Sequence, residues 1–297
     1  MKQGEKRLNI SHINRNIIGL AICLGVFISG FFIHGNSALY LNLSGFLIVM
    51  GGTFGAILLS YRMERLKILV KVLKTAYGRP VRESDEIVQI LVDLSVKKRI
   101  KGGLALQDEE DEISIIFLRQ AIGFLIDGYS PEQIKEHLRA EMYFFRMRRD
   151  ETLRVLQTMA DIAPSFGLIG SVVGLIGMLT GAGNADVIMS TVPIALTSTL
   201  YGIVMANFLF LPFAACVKER TVQELFLQNI ITEGVLAIAE DLHPRMLERK
   251  LQAFLTPSAR QHRYVSYERI KQKFGLTESE ENGNADNKDD GIKPQTV

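Results

Sequence analysis

The sequence predicts an all-α membrane protein: four transmembrane helices in two hairpins, a helical cytoplasmic domain between them and a helical C-terminal cytoplasmic segment. Three observations predict it. No Asp, Glu, Lys or Arg occurs between Arg15 and Arg62, and between Arg154 and Lys218 the only such residues are Asp161 and Asp186. Soluble domains seldom go so long without charge. A hydrocarbon core about 30 Å thick takes about 20 apolar residues as a helix, so each block is long enough for two spans. Finally, basic residues flank both blocks and are missing from the polar turns inside them.

The first hairpin occupies residues 17–61, with Ile17 to Ile33 joined to Leu41 to Tyr61 through His34, Gly35, Asn36 and Ser37. Lys2, Lys6, Arg7 and Arg15 precede it, and Arg62, Arg65, Lys67, Lys71 and Lys74 follow. Basic residues beside a span are retained on the cytoplasmic side, so residues 1–16 and the middle of the chain are expected there. A second span follows the first at once with no small-residue cleavage pattern between them, so the first reads as retained rather than as a signal peptide.

Residues 62–155 alternate apolar and charged side chains at helical spacing, with a clear stripe at Leu66, Leu69, Val70 and Leu73. Gly128 suits the end of one helix. Ser130, Pro131 and Gln133 suit the start of the next, as a cap, a first-turn proline and a capping-box partner, and that helix is expected to run towards the third span. Lys97, Lys98, Arg99 and Lys101 stand shortly before Asp108, Glu109, Glu110, Asp111 and Glu112. Opposed clusters of this kind suit an interface that forms and releases repeatedly, and they equally suit a solvated helical surface.

The second hairpin, residues 156–217, pairs Met159 to Thr180 with Val187 to Val217 across Gly181, Ala182, Gly183 and Asn184. Arg146, Arg148, Arg149 and Arg154 lead in, and Lys218 and Arg220 close it. Gly167, Gly170, Ser171, Gly174 and Gly177 on one helix and Thr197, Ser198 and Thr199 on the other offer small surfaces and hydroxyls. Glycines permit close helix approach, and a partner helix could lie against this face. The same residues equally fit internal packing and back-bonding to the helix's own carbonyls. Pro164 and Pro212 each interrupt an apolar run, and two kinks at one depth would make a hinge.

Residues 218–276 are expected to hold one helix ending near Ala239, a stop at His243 and Pro244, and a second from Arg245 to Phe254. Residues 277–297 are acidic and amide-rich with almost nothing to bury, which predicts a disordered tail.

An enzyme is not expected. No phosphate loop, Gly-x-Ser-x-Gly elbow or metal-ligand spacing is present, and His12, His34, His137, His243 and His262 are scattered. Cys23 and Cys216 fall inside predicted spans, where packing accounts for them. The net charge of +2 reflects basic residues flanking the membrane and gives nucleic-acid binding no support. A bare charge at mid-bilayer costs at least ~2.5 kcal/mol, and no span carries a central acid, so any ion crossing here needs a carboxylate from another chain.

Several runs together resemble the MotA/PomA stator subunits of the wider MotA/TolQ/ExbB superfamily, over about Ile17 to Leu255. They are Leu41 to Thr53, Phe117-Leu118-Arg119 with Asp127-Gly128, Asp161 to Leu175, Thr199-Leu200-Tyr201-Gly202 with Asn207 and Pro212, and Glu233 to Ile238 with Pro244-Arg245. The resemblance implies a flagellar motor stator in the bacterial inner membrane, both termini cytoplasmic, with five copies around two copies of a MotB-like, peptidoglycan-anchored partner that supplies the ion-binding Asp. It needs no cofactor beyond the transported proton or sodium.

By the same resemblance, Pro164 and Pro212 match prolines tied to torque, and Arg99 matches the residue that meets the rotor protein FliG. The acidic member of that pair falls at Gln107, with Asp108 or Glu109 as replacements. Ser171 and Thr199 stand where sodium-driven relatives have threonines, with Thr197 beside them on the ion path. Asn42 stands where some sodium relatives have an acid at the ion entrance, which leaves the ion open. The alternatives are an ExbB/TolQ-like energiser of outer-membrane processes and a non-conducting membrane scaffold.

Overall fold

The computed structural model describes residues 22, 25–26, 29–30, 40–78, 83–107, 115–181 and 183–255. The first predicted span, Ile17 to Ile33, lies outside them apart from Ile22, Gly25, Val26, Ser29 and Gly30, and so do Asp108, Glu109 and the acidic tail.

Every regular element among the described residues is helical. We number them α1 (Leu43–Ser60), α2 (Met63–Gly78), α3 (Ser84–Lys101), α4 (Ile116–Ile126), α5 (Pro131–Thr180), α6 (Ala185–Val204), α7 (Leu211–Ala239) and α8 (Pro244–Gln252), with a 3₁₀ turn at Gly103–Leu106 and a π-helical stretch at Met205–Phe210. Three helical stretches are long and apolar enough to cross a membrane: Leu43–Ser60, Pro131–Thr180 and Ala185–Ala239. The described residues divide into two compact units, one from residues 1–81 and 144–224, the other from 82–143 and 225–297.

In the first unit, α1 starts where the Asn42 side chain accepts from the Gly45 amide at 3.0 Å, satisfying one of the free N–H groups of a helix start. Gly45, Val49, Thr53 and Ile57 recur every fourth residue and form its only buried stripe. The other faces carry exposed Phe46, Leu47, Phe54, Leu58 and Leu59, the pattern of a helix bathed in lipid. α2 adds Leu69 to a core formed by Ile57, Val155, Leu156, Met159, Phe210 and Val217. Tyr61, in the break between α1 and α2, bonds its hydroxyl to that of Thr158 at 2.9 Å.

The second unit has its own core. Leu91 to Lys97 are buried without interruption, which makes α3 its central helix. Around it pack Phe117, Leu118 and Ile122 of α4, Ile134 and Leu138 of α5, Ile231 and Val235 of α7, and Leu247 and Leu251 of α8. Gly128, at φ +74°, turns the chain after α4, a conformation that only glycine adopts without strain. The expected capping box follows: Gln133 N donates to Ser130 Oγ at 3.3 Å, and Ser130 N donates to Gln133 Oε1 at 3.0 Å.

Candidate functional site

α5 and α6 run antiparallel because the link between them is short. Gly183 takes φ +104°, and Asn184 caps α6 by accepting from the Asp186 amide at 3.0 Å. Glycine then sets how closely the helices approach. An ideal Cβ on Gly170 would stand 2.5 Å from Ser198 Cβ, one on Gly174 2.6 Å from Ala195 N, and one on Gly202 2.7 Å from the Ala163 carbonyl oxygen. This decides between the two readings of these glycines. The glycine face is covered by the chain's own α6 and is not free for a partner helix. What α5 turns outward is branched and apolar: Leu168, Val172, Ile176 and Leu179.

Close approach brings Ser171 and Thr199 together. Ser171 Oγ donates to the Ala195 carbonyl at 2.5 Å and forms a short hydrogen bond with Thr199 Oγ1, which also donates to the Gly167 carbonyl at 3.4 Å. Four oxygens thus converge from two helices. With the Ser171 proton directed at Ala195, Thr199 donates to Ser171, and the Ser171 oxygen keeps one lone pair for an incoming donor or cation. Neither nearby carboxylate serves this site. Asp161 precedes Ser171 by ten residues, about 15 Å along the helix, and Asp186 precedes Thr199 by thirteen, about 20 Å.

The other two expected ion-path residues lie elsewhere around α6. Thr197 is buried and donates to the Pro193 carbonyl at 2.6 Å, and its oxygen would lie 3.2 Å from a Cβ on Gly45, so it faces α1. Asn42 caps α1, and its backbone N–H donates to the Tyr201 hydroxyl at 2.8 Å. That hydroxyl in turn donates to the Tyr40 carbonyl, and the ring meets Phe46 edge-on at 6.0 Å. Two residues along a helix turn through about 200°, so Tyr201 and Asn42 lie on the far side of α6 from Thr199. Sequence reasoning passed over Tyr201 as a positioning residue. The signal was available, since a tyrosine in an apolar span needs a partner for its hydroxyl. It also passed over Thr53, fully buried on α1 with no hydrogen-bond partner for its Oγ1 among the described residues.

The two prolines are not at one depth. Pro164 lies inside α5 against Gly202, whose ideal Cβ would stand 3.1 Å from the Pro164 Cα. Pro212 comes ten residues after Gly202, about 15 Å farther along the helical stretch Ala185–Ala239. It follows the π-helical stretch, where Leu211 N–H bonds to the Ala206 carbonyl five residues back. Proline lacks an N–H and its ring crowds the carbonyl four residues earlier, and a π turn relieves both by widening the helix just ahead of it. The shared-depth hinge is therefore replaced by two separate distortions.

The basic run divides in two. Lys97 is buried, and Lys98 Nζ donates at 2.7 Å to both the Ile238 carbonyl and Asp241 Oδ1, so it closes the end of α7. Arg99 and Lys101 remain exposed. Among the described residues no group of three or more His, Cys, Asp or Glu side chains is placed to hold a metal.

Residues 109–229 match the MotA/TolQ/ExbB proton channel family, and residues 17–100 match the Motility protein A N-terminal family. Motility protein A of Borreliella burgdorferi is 32% identical over 246 residues, covering 82% of this chain and 95% of that protein. The chain belongs to the MotA/TolQ/ExbB proton channel family. Uncharacterized protein YtxD of Bacillus subtilis is 33% identical over 259 residues, 87% of this chain and 92% of its own length. The C. jejuni MotAB structure superposes with a TM-score of 0.76 at 29% identity, covering 84% of this chain and 98% of that one. As a MotA-family member of this kind, the chain serves as a flagellar motor stator subunit.

Proposed function

We propose that this stator subunit passes protons or sodium ions along the α5–α6 surface at Ser171 and Thr199, with a MotB-like partner supplying the titrating Asp, and converts their entry into torque. The observation that carries the proposal is the oxygen cluster of Ser171, Thr199, Ala195 and Gly167, lying far from any carboxylate of its own hairpin. Hydroxyl and carbonyl oxygens are ligands that a hard cation accepts, and they equally relay a proton through water. Thr197 and Asn42 shape the path indirectly, by seating α6 against α1. Each charge moving down the membrane potential delivers about 2.3 kcal/mol per 100 mV, enough to bias discrete steps.

In this reading the chain is an inner-membrane protein with four spans, Ile17 to Ile33 being the first, and both termini are cytoplasmic. Five copies surround two copies of the peptidoglycan-anchored partner. Pro164 and Pro212 transmit the step, and Arg99 meets FliG, with Asp108 or Glu109 in place of the acid that Gln107 replaces.

Co-expression with a MotB-like partner in a non-motile host tests it. Swimming should be restored only when both chains are present, and speed at fixed pH should track either the sodium concentration or the proton gradient. Current from this chain alone in vesicles would sink the proposal. A reporter fused after His34 should give a periplasmic signal, and a cytoplasmic one would end the four-span topology.

A further inference from the structure

α2 begins three residues after α1 ends, so it leaves the membrane boundary directly. Lys67, Lys71 and Lys74 follow one another at i, i+4 and i+7, which stacks three like charges on one helix face. Like charges at this spacing repel and weaken a helix unless something neutralises them. None of the three has an ion pair or side-chain hydrogen bond among the described residues, and neither does Arg148. The lysines line an open groove of about 520 Å³ with Thr75. A second cleft of about 250 Å³ shares Lys71 and Thr75 with it and adds Arg148 and Arg149 from α5. No carboxylate lines either one.

The same helix exposes apolar side chains. Ile68 is 52% exposed and Val70 51%, on a helix whose Leu69 is buried in the core. Cations lining a groove beside bare aliphatic side chains, next to a membrane-crossing helix, match an anionic headgroup with its acyl chain. A free phosphate would use the lysines and leave Val70 in water.

We infer that this groove holds the phosphate of an anionic phospholipid from the cytoplasmic leaflet, with Lys67, Lys71 and Lys74 on the headgroup and Val70, which lines the same groove, against the acyl chain. The inference rests on the cytoplasmic placement of α2 proposed above. A reporter fused after Gly78 reads that placement separately, so failure of the topology and failure of the lipid site are distinguishable.

The test is native mass spectrometry of the full-length protein in detergent, titrated with phosphatidylglycerol, phosphatidylcholine or inorganic phosphate. Phosphatidylglycerol should bind at least about tenfold more tightly than phosphatidylcholine, and the K67Q/K71Q/K74Q variant should lose that preference. The K67R/K71R/K74R variant should keep it, and K135Q, altered at an exposed lysine of the other unit, should behave as the parent. Unchanged melting temperatures in detergent would exclude misfolding. Equal binding of phosphatidylcholine, a preference that survives the triple Gln variant, or full displacement of the lipid by equimolar inorganic phosphate would each overturn the site. So would a crosslink from Lys71 to a carboxylate of a second copy, which would assign the groove to a subunit contact.

Discussion

Gly202 of α6 rests directly on the backbone at Pro164 of α5, with an ideal Cβ 2.7 Å from the Ala163 carbonyl oxygen and 3.1 Å from the Pro164 Cα. Backbone cannot yield as a flexible side chain can. Gly202→Ala should therefore push α6 away from α5, cost about 1–3 kcal/mol and lower the melting temperature in detergent. Gly51→Ala serves as the control, because nothing lies within 4 Å of its ideal Cβ. Equal melting temperatures for the two variants would refute the close contact.

Of the hydroxyls on α6, only Thr199 meets Ser171 among the described residues. Thr199→Val should reduce ion flux through the complex by about tenfold, the effect of losing one good oxygen ligand. Thr197→Val removes only a bond to the helix's own Pro193 carbonyl and should leave flux within about twofold. A Thr197→Val variant as impaired as Thr199→Val would mean the ion path runs along the α1 side instead.

Lys98 and Arg99 are neighbours with opposite assignments. Lys98→Met removes one of two hydrogen bonds to the Ile238 carbonyl and an ion pair with the exposed Asp241, so stability should fall by about 1 kcal/mol, read by thermal or denaturant unfolding. Arg99→Glu should leave unfolding unchanged and abolish swimming. A stable Lys98→Met protein or a motile Arg99→Glu strain would reverse the corresponding assignment.

Tyr77 packs edge-on against Phe213 at 5.7 Å, and burial, followed by its charge interaction and hydrogen bond with Cys216, pushes its phenol up to about 12 from an ordinary 10.0. The folded state thus favours the neutral phenol. That contribution is complete below the ordinary value and is lost as pH rises towards the folded one. Ultraviolet titration should show a late tyrosinate step that Tyr77→Phe removes. The variant should also lose less stability than the parent over that alkaline window.

Much of this architecture was legible because it rests on strong local chemistry. The Ser130–Gln133 capping box, the turn at Gly128, the bend at Gly183 and the stop before Pro244 each follow from a residue type with a narrow set of roles. Ser171 and Thr199 were legible as hydroxyls in an apolar setting. Their pairing depends on helix rotation, which composition does not encode. The glycine face was legible as a packing surface with its occupant open between a partner helix and the chain's own, since spacing shows that a face is small but not which helix covers it. Lys98 was hidden in a charge run because its acceptor lies 140 residues away in sequence.

The widened turn at Met205–Phe210 changes how the helical stretch Ala185–Ala239 has to be read. One extra residue in a turn rotates everything beyond it by about 100° relative to an unbroken helix. The stretch ending at Val204 and the stretch starting at Leu211 therefore keep different phases, and no single helical wheel describes both. Deleting one residue there would regularise the backbone and leave Ala214 and Val217 in the phase they now hold, whereas inserting one more would swing them about 100° off the core they fill, so this segment should tolerate a one-residue deletion better than an insertion.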